Sequence, residues 1–116
     1  MDKEELKKRT KEFALRVIRL VEALPRTQTS QVIGNQLLRS ATSVAANYRA
    51  VCRARSPADF VHKLGIVEEE ADESLFWLEM IVETELMPAN RMQELLQEAD
   101  ELTAIFVASR KTAKGK

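Results

Sequence analysis

The longest helical pattern in this chain runs from Ser56 to Leu86 and reads SPADFVHKLGIVEEEADESLFWLEMIVETEL. It opens like a helix start, because Ser56 can cap free amides, Pro57 suits the first helical position and Asp59 adds favourable negative charge. Apolar residues then recur every three or four positions, as on one helix face. This row consists of Phe60, Leu64, Val67, Ala71, Leu75, Leu78, Val82 and Leu86. The pattern predicts a long amphipathic helix.

Three prolines, at positions 25, 57 and 88, divide the chain into four arms of similar length. Proline interrupts helices because it lacks an amide hydrogen and clashes with the preceding turn. The other arms also repeat apolar residues at helical spacing, the second from about Thr29 to Arg55, and Asp2 with Glu5 resembles a capping box. Short connections make consecutive helices antiparallel, so we predict an all-α, up-down-up-down four-helix bundle that assembles as a homo-oligomer.

A chain of 116 residues is long enough for one hydrophobic core. We expect a single domain over residues 1–110 and a flexible basic tail over residues 111–116. The single cysteine, Cys52, leaves no internal disulfide or cysteine-based metal site. No apolar run approaches the roughly 20 residues of a membrane span, and the first residues are charged where a signal peptide is apolar. These features predict a cytoplasmic protein without a membrane partner.

The net charge is zero, but the charges are unevenly distributed. Residues 23–58 contain five arginines and no acid, whereas residues 64–109 contain twelve acids and one arginine. A helical wheel of the second arm, with Val44 directed inward, places arginines on one outer stripe. The candidate nucleic-acid-binding residues are Arg39, Arg49, Arg53 and Arg55. Two interpretations stay open: phosphate contacts with RNA or DNA, or ion pairs with carboxylates of this chain or a second copy. The absence of an aromatic residue among the arginines favours ion pairs.

The antiparallel register between the second and third arms gives a more local expectation. Residues whose numbers sum to about 112 lie at the same level, which puts Arg39 beside Asp72 and Glu73. Tyr48 falls beside Gly65 in the same register. A tyrosine resting on bare backbone would account for a glycine inside a helix, where it costs about 1 kcal/mol.

The outer side of the third helix, opposite Leu75, is unusually apolar. It carries Ile66, Glu69, Glu73, Phe76, Trp77 and Met80, which are the predicted oligomer-interface residues, together with Met87. Monomers rarely leave such a patch in water, so we predict self-association. Buried glutamates would need cationic partners, which arginines of another subunit could supply. The alternative is that Trp77 packs on a neighbouring helix of its own chain.

The many carboxylates raise two enzymatic alternatives. A ferritin-like di-metal site needs a histidine from each of two helices, and His62 is the only histidine. A magnesium-dependent all-α nucleotide pyrophosphohydrolase is the stronger alternative, imitated by Glu69, Glu70, Glu73, Glu98 and Glu101. Antiparallel register separates the acids of the two arms by about 7 Å along the axes. We therefore predict a non-enzymatic protein without catalytic residues, metal or cofactor, and keep the pyrophosphohydrolase as the alternative.

The second and third arms also carry a family pattern. It reads QLLRSATSVAANYRA from Gln36 to Ala50, then Phe60-x-x-Lys63-Leu-x-Ile66-x-Glu68-Glu-Glu70-Ala-Asp72-Glu73-Ser74 and Trp77-Leu78-Glu79. This resembles the four-helix-bundle proteins encoded in intervening sequences of bacterial 23S ribosomal RNA genes, from about Phe13 to Phe106. The family pattern falls on Arg39, Ser43, Asn47, Glu69, Glu70 and Glu73. Many relatives have Ala-Glu-Gly where this chain has Arg49-Ala50-Val51, so this chain resembles a more basic subgroup.

The resemblance implies an antiparallel four-helix protomer that assembles as a homopentamer. It also implies kinship with the accessory protein of diversity-generating retroelements, a similar pentamer that binds nucleic acid and a reverse transcriptase. The expected partners are therefore further copies of this chain, RNA or DNA, and by analogy a reverse transcriptase. The expected function is that of a scaffold that binds nucleic acid.

Overall fold

The computed structural model describes residues 1–115 of the chain. Within these residues there are four α-helices and no strand, so the predicted all-α four-helix fold is confirmed. The helices are α1 (Lys3–Ala23), α2 (Gln28–Val51), α3 (Pro57–Glu83) and α4 (Gln93–Lys114), with a 3-10 helix, Ala89–Arg91, just before α4. The molecule is elongated and measures 46 × 20 × 20 Å.

The helices pack as an antiparallel bundle in chain order. α2 packs between α1 and α3, while α4 packs mainly on α3 and less closely on α1. The Ser74 hydroxyl donates to Ser40 at 3.0 Å, whereas Arg49, further along α2, shares a groove with Lys63, earlier in α3. The order of contacts is therefore reversed between α2 and α3. In consequence, the starts of α1 and α3 lie at the same end of the bundle as the finishes of α2 and α4.

Two helix starts follow the predicted capping patterns. The Asp2 carboxylate accepts a hydrogen bond from the Glu5 amide at 2.8 Å, and the Ser56 hydroxyl accepts one from the Asp59 amide at 3.0 Å. These bonds satisfy amides that have no partner within their helix. Both predicted starts are confirmed.

The finishes of α2 and α4 differ from the predicted ones. α2 ends at Val51 rather than near Arg55, because the residues before Ser56-Pro57 must leave the helical conformation to enter the next cap. α4 continues through Lys114, so residues 111–114 are helical and not a flexible tail. No helix breaker precedes Gly115, and lysines in the last turn complement the helix dipole. Residue 116 of the predicted tail lies outside the described residues.

α3 ends in a turn that the sequence did not signal. Glu85 adopts φ 58°, the left-handed conformation more common for glycine, and the Leu86 amide donates to the Ile81 carbonyl at 3.1 Å. The chain therefore leaves the helix after Glu83. Met87 was predicted to extend the outer side of α3, and this is wrong: it lies beyond the helix with only 5% of its surface exposed.

The core is a continuous cluster of side chains from all four helices. Its fully enclosed large members include Phe13, Val17, Leu37, Val44, Leu64, Leu78, Leu102 and Phe106. Small residues are buried around one contact between α2 and α3: Ser40 meets Ser74, Ala41 follows Ser40, and Ala71 lies one turn before Ser74. Small residues let two helix backbones approach closely. The serine hydroxyls stay satisfied, because Ser74 donates to Ser40 and Ser40 in turn donates to the Leu37 carbonyl of its own helix.

The predicted contact between Tyr48 and Gly65 is wrong. A Cβ atom built on Gly65 would meet only Arg110 Cδ, at 3.8 Å, among the described residues outside its own helix turn. The Tyr48 ring packs instead on Phe106, with 5.8 Å between ring centroids. The glycine therefore has room for a side chain.

Replacing this glycine is expected to stabilise the fold. Gly65→Ala should raise the free energy of unfolding by about 0.5–1 kcal/mol, because alanine loses less backbone entropy in a helix and meets no clash here. Gly34→Ala is the matched control and should gain less, since its Cβ would lie 3.2 Å from Val21 Cγ1. Urea denaturation followed by circular dichroism measures both. A Gly65→Ala protein no more stable than Gly34→Ala would contradict the expectation.

Candidate nucleic-acid interface

A groove at the basic end of the bundle lies between the finish of α2 and the start of α3. It has a volume of about 610 Å³ and is lined by Ala46, Arg49, Ala50, Arg53, Arg55, Asp59 and Lys63. Three of the four arginines predicted to bind nucleic acid meet here. They come together because α2 ends at Val51 and the connection to α3 turns straight back, which keeps Arg55 close to Arg53.

No carboxylate in the described part of the chain neutralises the arginine side chains of this groove. Within residues 1–115, neither Arg49, Arg53 nor Arg55 forms a side-chain salt bridge. The one carboxylate in the groove, Asp59, accepts from Lys63 Nζ at 2.9 Å and from the Arg55 backbone amide at 3.0 Å. The Lys63 ammonium, helped by that amide, holds the pKa of Asp59 below its usual value. Asp59 is therefore ionised at neutral pH. Its partners are Lys63 and the Arg55 backbone amide, not the arginine side chains.

A second groove adjoins the first across α2. It lies between α1 and α2, has a volume of about 660 Å³ and is lined by Glu4, Lys7, Lys8, Lys11, Ala14, Thr42, Ala45, Ala46 and Arg49. Its lysines were missed in the sequence analysis, although their signal was present. Lys7 and Lys11 are one helical turn apart near the start of α1, and antiparallel packing puts that start beside the finish of α2. Lys7 is paired with Glu4 at 3.1 Å.

Arg39, the fourth predicted arginine, belongs to a different cluster. Its guanidinium binds Glu70, with Nη1 3.1 Å from Oε2, and also binds the Glu73 carboxylate. The predicted neighbour Glu73 is thus present, while Glu70 takes the place expected for Asp72. For Arg39 the ion-pair interpretation describes the structure, and its charge is already compensated within the chain.

Glu73 has a second donor, Trp77. The indole Nε1 donates to Glu73 Oε2 at 3.0 Å, and this bond, together with Arg39, holds the pKa of Glu73 below its usual value. Trp77 is half-buried against the core, and so is Met80. One side of the indole therefore packs on its own chain, which is what the alternative to an oligomer interface predicts for Trp77.

The apolar outer side of α3 is smaller than the helical wheel suggested. Of the predicted interface residues, Phe76 is exposed over 50% of its surface and Glu69 is also exposed, whereas Ile66, Glu73, Trp77 and Met80 are half-buried. Phe76 contacts Trp77 edge to face, with 4.9 Å between ring centroids. The large apolar side chain that stays exposed on this side of α3 is Phe76, whose ring packs against the half-buried indole of Trp77.

Two further carboxylates that suggested an enzyme, Glu98 and Glu101, are also paired with arginine. Glu98 forms a two-pronged pair with Arg9, both N–O distances being 2.7 Å, and Glu101 lies 2.9 Å from the same guanidinium. The acids of α4 are thus bound from α1, while Glu70 and Glu73 of α3 are bound from α2. In the described part of the chain, no group of three or more His, Cys, Asp or Glu residues is placed to hold a metal ion. His62 is exposed and Cys52 is half-buried.

Together, the packing and the charge pattern define a small antiparallel four-helix bundle with one basic end. The chain belongs to the 23S rRNA-intervening sequence protein family, whose family model matches residues 2–108. The predicted family resemblance is therefore confirmed. No curated protein sequence matches the chain.

A solved structure supports the same grouping. The chain is similar to the crystal structure of a protein with unknown function from the S23 ribosomal protein family of Bacteroides thetaiotaomicron, with 33% sequence identity and a TM-score of 0.87. The match covers 96% of this chain and 99% of that one. Within residues 1–115, no helix is both long and apolar enough to cross a membrane.

The contacts of Glu73 predict an optical signal. Trp77 is the only tryptophan, so its fluorescence should change as Glu73 takes up a proton, with a midpoint below the ordinary value of 4.5. Because the folded-state pKa is lowered, the stabilising contribution of Glu73 is present above that ordinary value and is lost as the pH falls through the folded-state pKa. Arg39→Gln should raise the midpoint towards 4.5.

Arg49→Gln is the matched control for this titration, because it removes an arginine of the same helix that has no carboxylate partner among residues 1–115. Its midpoint should equal that of the unmodified protein. Far-ultraviolet circular dichroism, recorded at each pH, shows over which pH range each variant is folded, and the midpoints are compared within that range. Equal midpoints for the Arg39 and Arg49 variants would disprove the assigned contact.

Proposed function

We propose that this protein is a non-enzymatic, homo-oligomeric helical bundle that binds the phosphate backbone of RNA or DNA through its basic end. The observation that carries the proposal is that Arg49, Arg53 and Arg55, which form no salt bridge within residues 1–115, line a groove open to solvent. Arginine is suited to this task, because its planar fork can donate two hydrogen bonds to one phosphate. The whole chain is neutral, so the basic surface is a local feature.

The charge of the two grooves supports the same proposal. Seven basic side chains line them, against the two carboxylates Glu4 and Asp59. Such a surface gains affinity for nucleic acid because each neutralised phosphate releases condensed counterions. The proposed binding residues are Lys7, Lys8, Lys11, Arg49, Arg53 and Arg55. Arg39 is left out, since binding a phosphate would require breaking its contacts with Glu70 and Glu73.

Self-association is the second part of the proposal. It is supported by Phe76, which is half-exposed on α3 beside Trp77, and the family resemblance favours a pentamer. Several copies of a modest basic surface on one assembly would bind one polyanion far more tightly than a single copy does. Oligomerisation would thus compensate for the small area of each basic end.

The pyrophosphohydrolase alternative gains no supporting observation. It requires carboxylates of α3 and α4 to converge on magnesium. Glu70 and Glu73 instead contact Arg39, and Glu98 and Glu101 contact Arg9. Opening such a site would leave two guanidinium groups to be paired elsewhere.

Removing two groove arginines tests the binding proposal. Arg49→Ala with Arg53→Ala should weaken binding of a labelled oligonucleotide regardless of its sequence and reduce the slope of log affinity against log salt by about 1.8, two phosphate contacts being lost per site. Fluorescence anisotropy over a salt series measures both quantities. The matched control is Arg19→Ala with Arg26→Ala, which removes two exposed arginines far from the basic end. Equal losses in both double variants would refute the assigned surface.

The oligomer is tested separately through Phe76. We expect light scattering to report a mass several times the 13.2 kDa of one chain, with a pentamer as the favoured state. Phe76→Glu should reduce that mass to one chain, because it places a charge in the proposed interface. Val32→Glu is the matched control, since Val32 is an exposed apolar residue on a different helix. A single-chain mass for the unmodified protein at micromolar concentration would overturn this part.

A further inference from the structure

The two basic grooves lie on either side of the same helix, α2. We call the strip of α2 between them, at Ala46 and Arg49, the ridge. Ala46 and Arg49 line both of them, so the grooves run along opposite flanks of α2 rather than lying on separate parts of the surface. One flank carries the lysines of α1, and the other carries Arg53, Arg55 and Lys63. α2 therefore stands between two rows of positive charge.

The side chains of α2 along the ridge are mostly short. Apart from Arg49, the residues of α2 that line the grooves on the α1 side are Thr42, Ala45 and Ala46, and Ala50 lies on the α3 side. Ala46 is exposed. Because these side chains are short, a ligand can approach the helix backbone closely between the two charged rows.

The spacing of the two rows of basic side chains matches a nucleic-acid groove with a phosphate backbone along each edge. Packed helix axes are about 8–10 Å apart, so the lysines of α1 and Lys63 of α3 are separated by more than one such spacing and at most two, or about 10–20 Å. Arg53 and Arg55 lie in the connection between α2 and α3, on the Lys63 side. The major groove of B-form DNA is about 12 Å wide and admits one α-helix. The helical residues 42–51 would extend about 15 Å along such a groove.

The same surface is poorly suited to single strands. Single-strand binders gain about 1–3 kcal/mol for each base stacked on an aromatic ring. None of the residues seen to line either groove is aromatic, and Tyr48, the tyrosine of α2, is buried. An A-form RNA duplex is also disfavoured, since its major groove is deep and narrow.

Building on the proposed function, we infer that α2 binds in the major groove of B-form double-stranded DNA, with the ridge at Ala46 entering the groove. Lys8 and Lys11 contact phosphates of one strand, and Arg53 and Arg55 contact those of the other. Arg49, which lines both grooves, contacts a phosphate at one edge of the DNA groove. This arrangement uses both rows of charge at once, which a single strand lying in one groove cannot do.

The experiment compares three probes at one salt concentration by fluorescence anisotropy: a two-turn DNA duplex, one of its strands alone, and an RNA duplex of the same length. The DNA duplex should bind about tenfold more tightly than either of the others. Ala46→Phe, which widens the ridge, should weaken DNA-duplex binding about tenfold, as overpacking of a close contact does. It should not weaken binding of the single strand, on which the new ring can stack.

The control variant is Ala104→Phe, the same change at an exposed alanine of α4, and it should leave all three affinities unaltered. Circular dichroism establishes that both variants are folded. If all three probes bind equally and still depend on Arg49 and Arg53, the groove inference is overturned while the proposed function stands. If Ala46→Phe weakens the single strand as much as the duplex, the ridge assignment is wrong. Absence of binding to every probe overturns both proposals.

Discussion

The close packing of α2 on α3 through small buried side chains is the contact on which the surface of this protein depends. Ser40 and Ser74 are fully buried and hydrogen-bonded to each other. A shift of one residue would place Arg39 or Ala41 opposite Ser74, or Glu73 or Leu75 opposite Ser40, and would break this hydrogen bond. The register between the two helices is therefore fixed by packing, and with it the position of each arginine of α2 relative to the acids of α3.

This register decides which arginines are compensated. The acidic run of α3 begins at Glu68, so Arg39 meets Glu70 and Glu73, one turn from the serine contact. Arg49 lies further along α2 and Arg53 just after it, beside the beginning of α3, where Asp59 lines the same groove and is already bound to Lys63. A chain of zero net charge thereby acquires a strongly basic end. Ion pairing and packing, rather than composition, produce the candidate interface.

The bundle itself was predictable because its signals are local. Proline positions, the caps at Asp2 and Ser56, and apolar periodicity each act within a few residues, and the structure agrees with them. The predictions that failed concern contacts between helices, or backbone conformations that are unusual for the residue type. Glu85 takes a left-handed turn without glycine, which removes Met87 from α3. The lysines of α1 join the interface only through packing on α2, a contact that a wheel of α2 alone cannot reveal.

The position of the acids also bears on how a polyanion would approach. The carboxylates of α4 lie towards the start of that helix, where Arg9 and Arg16 bind them, whereas its last turns carry Lys111 and Lys114. A phosphate backbone would therefore be repelled along the acidic flank and attracted at the end where α2 finishes. Since such attraction falls off within about a Debye length, roughly 8 Å at physiological salt, the basic end would orient an approaching polyanion over that short distance.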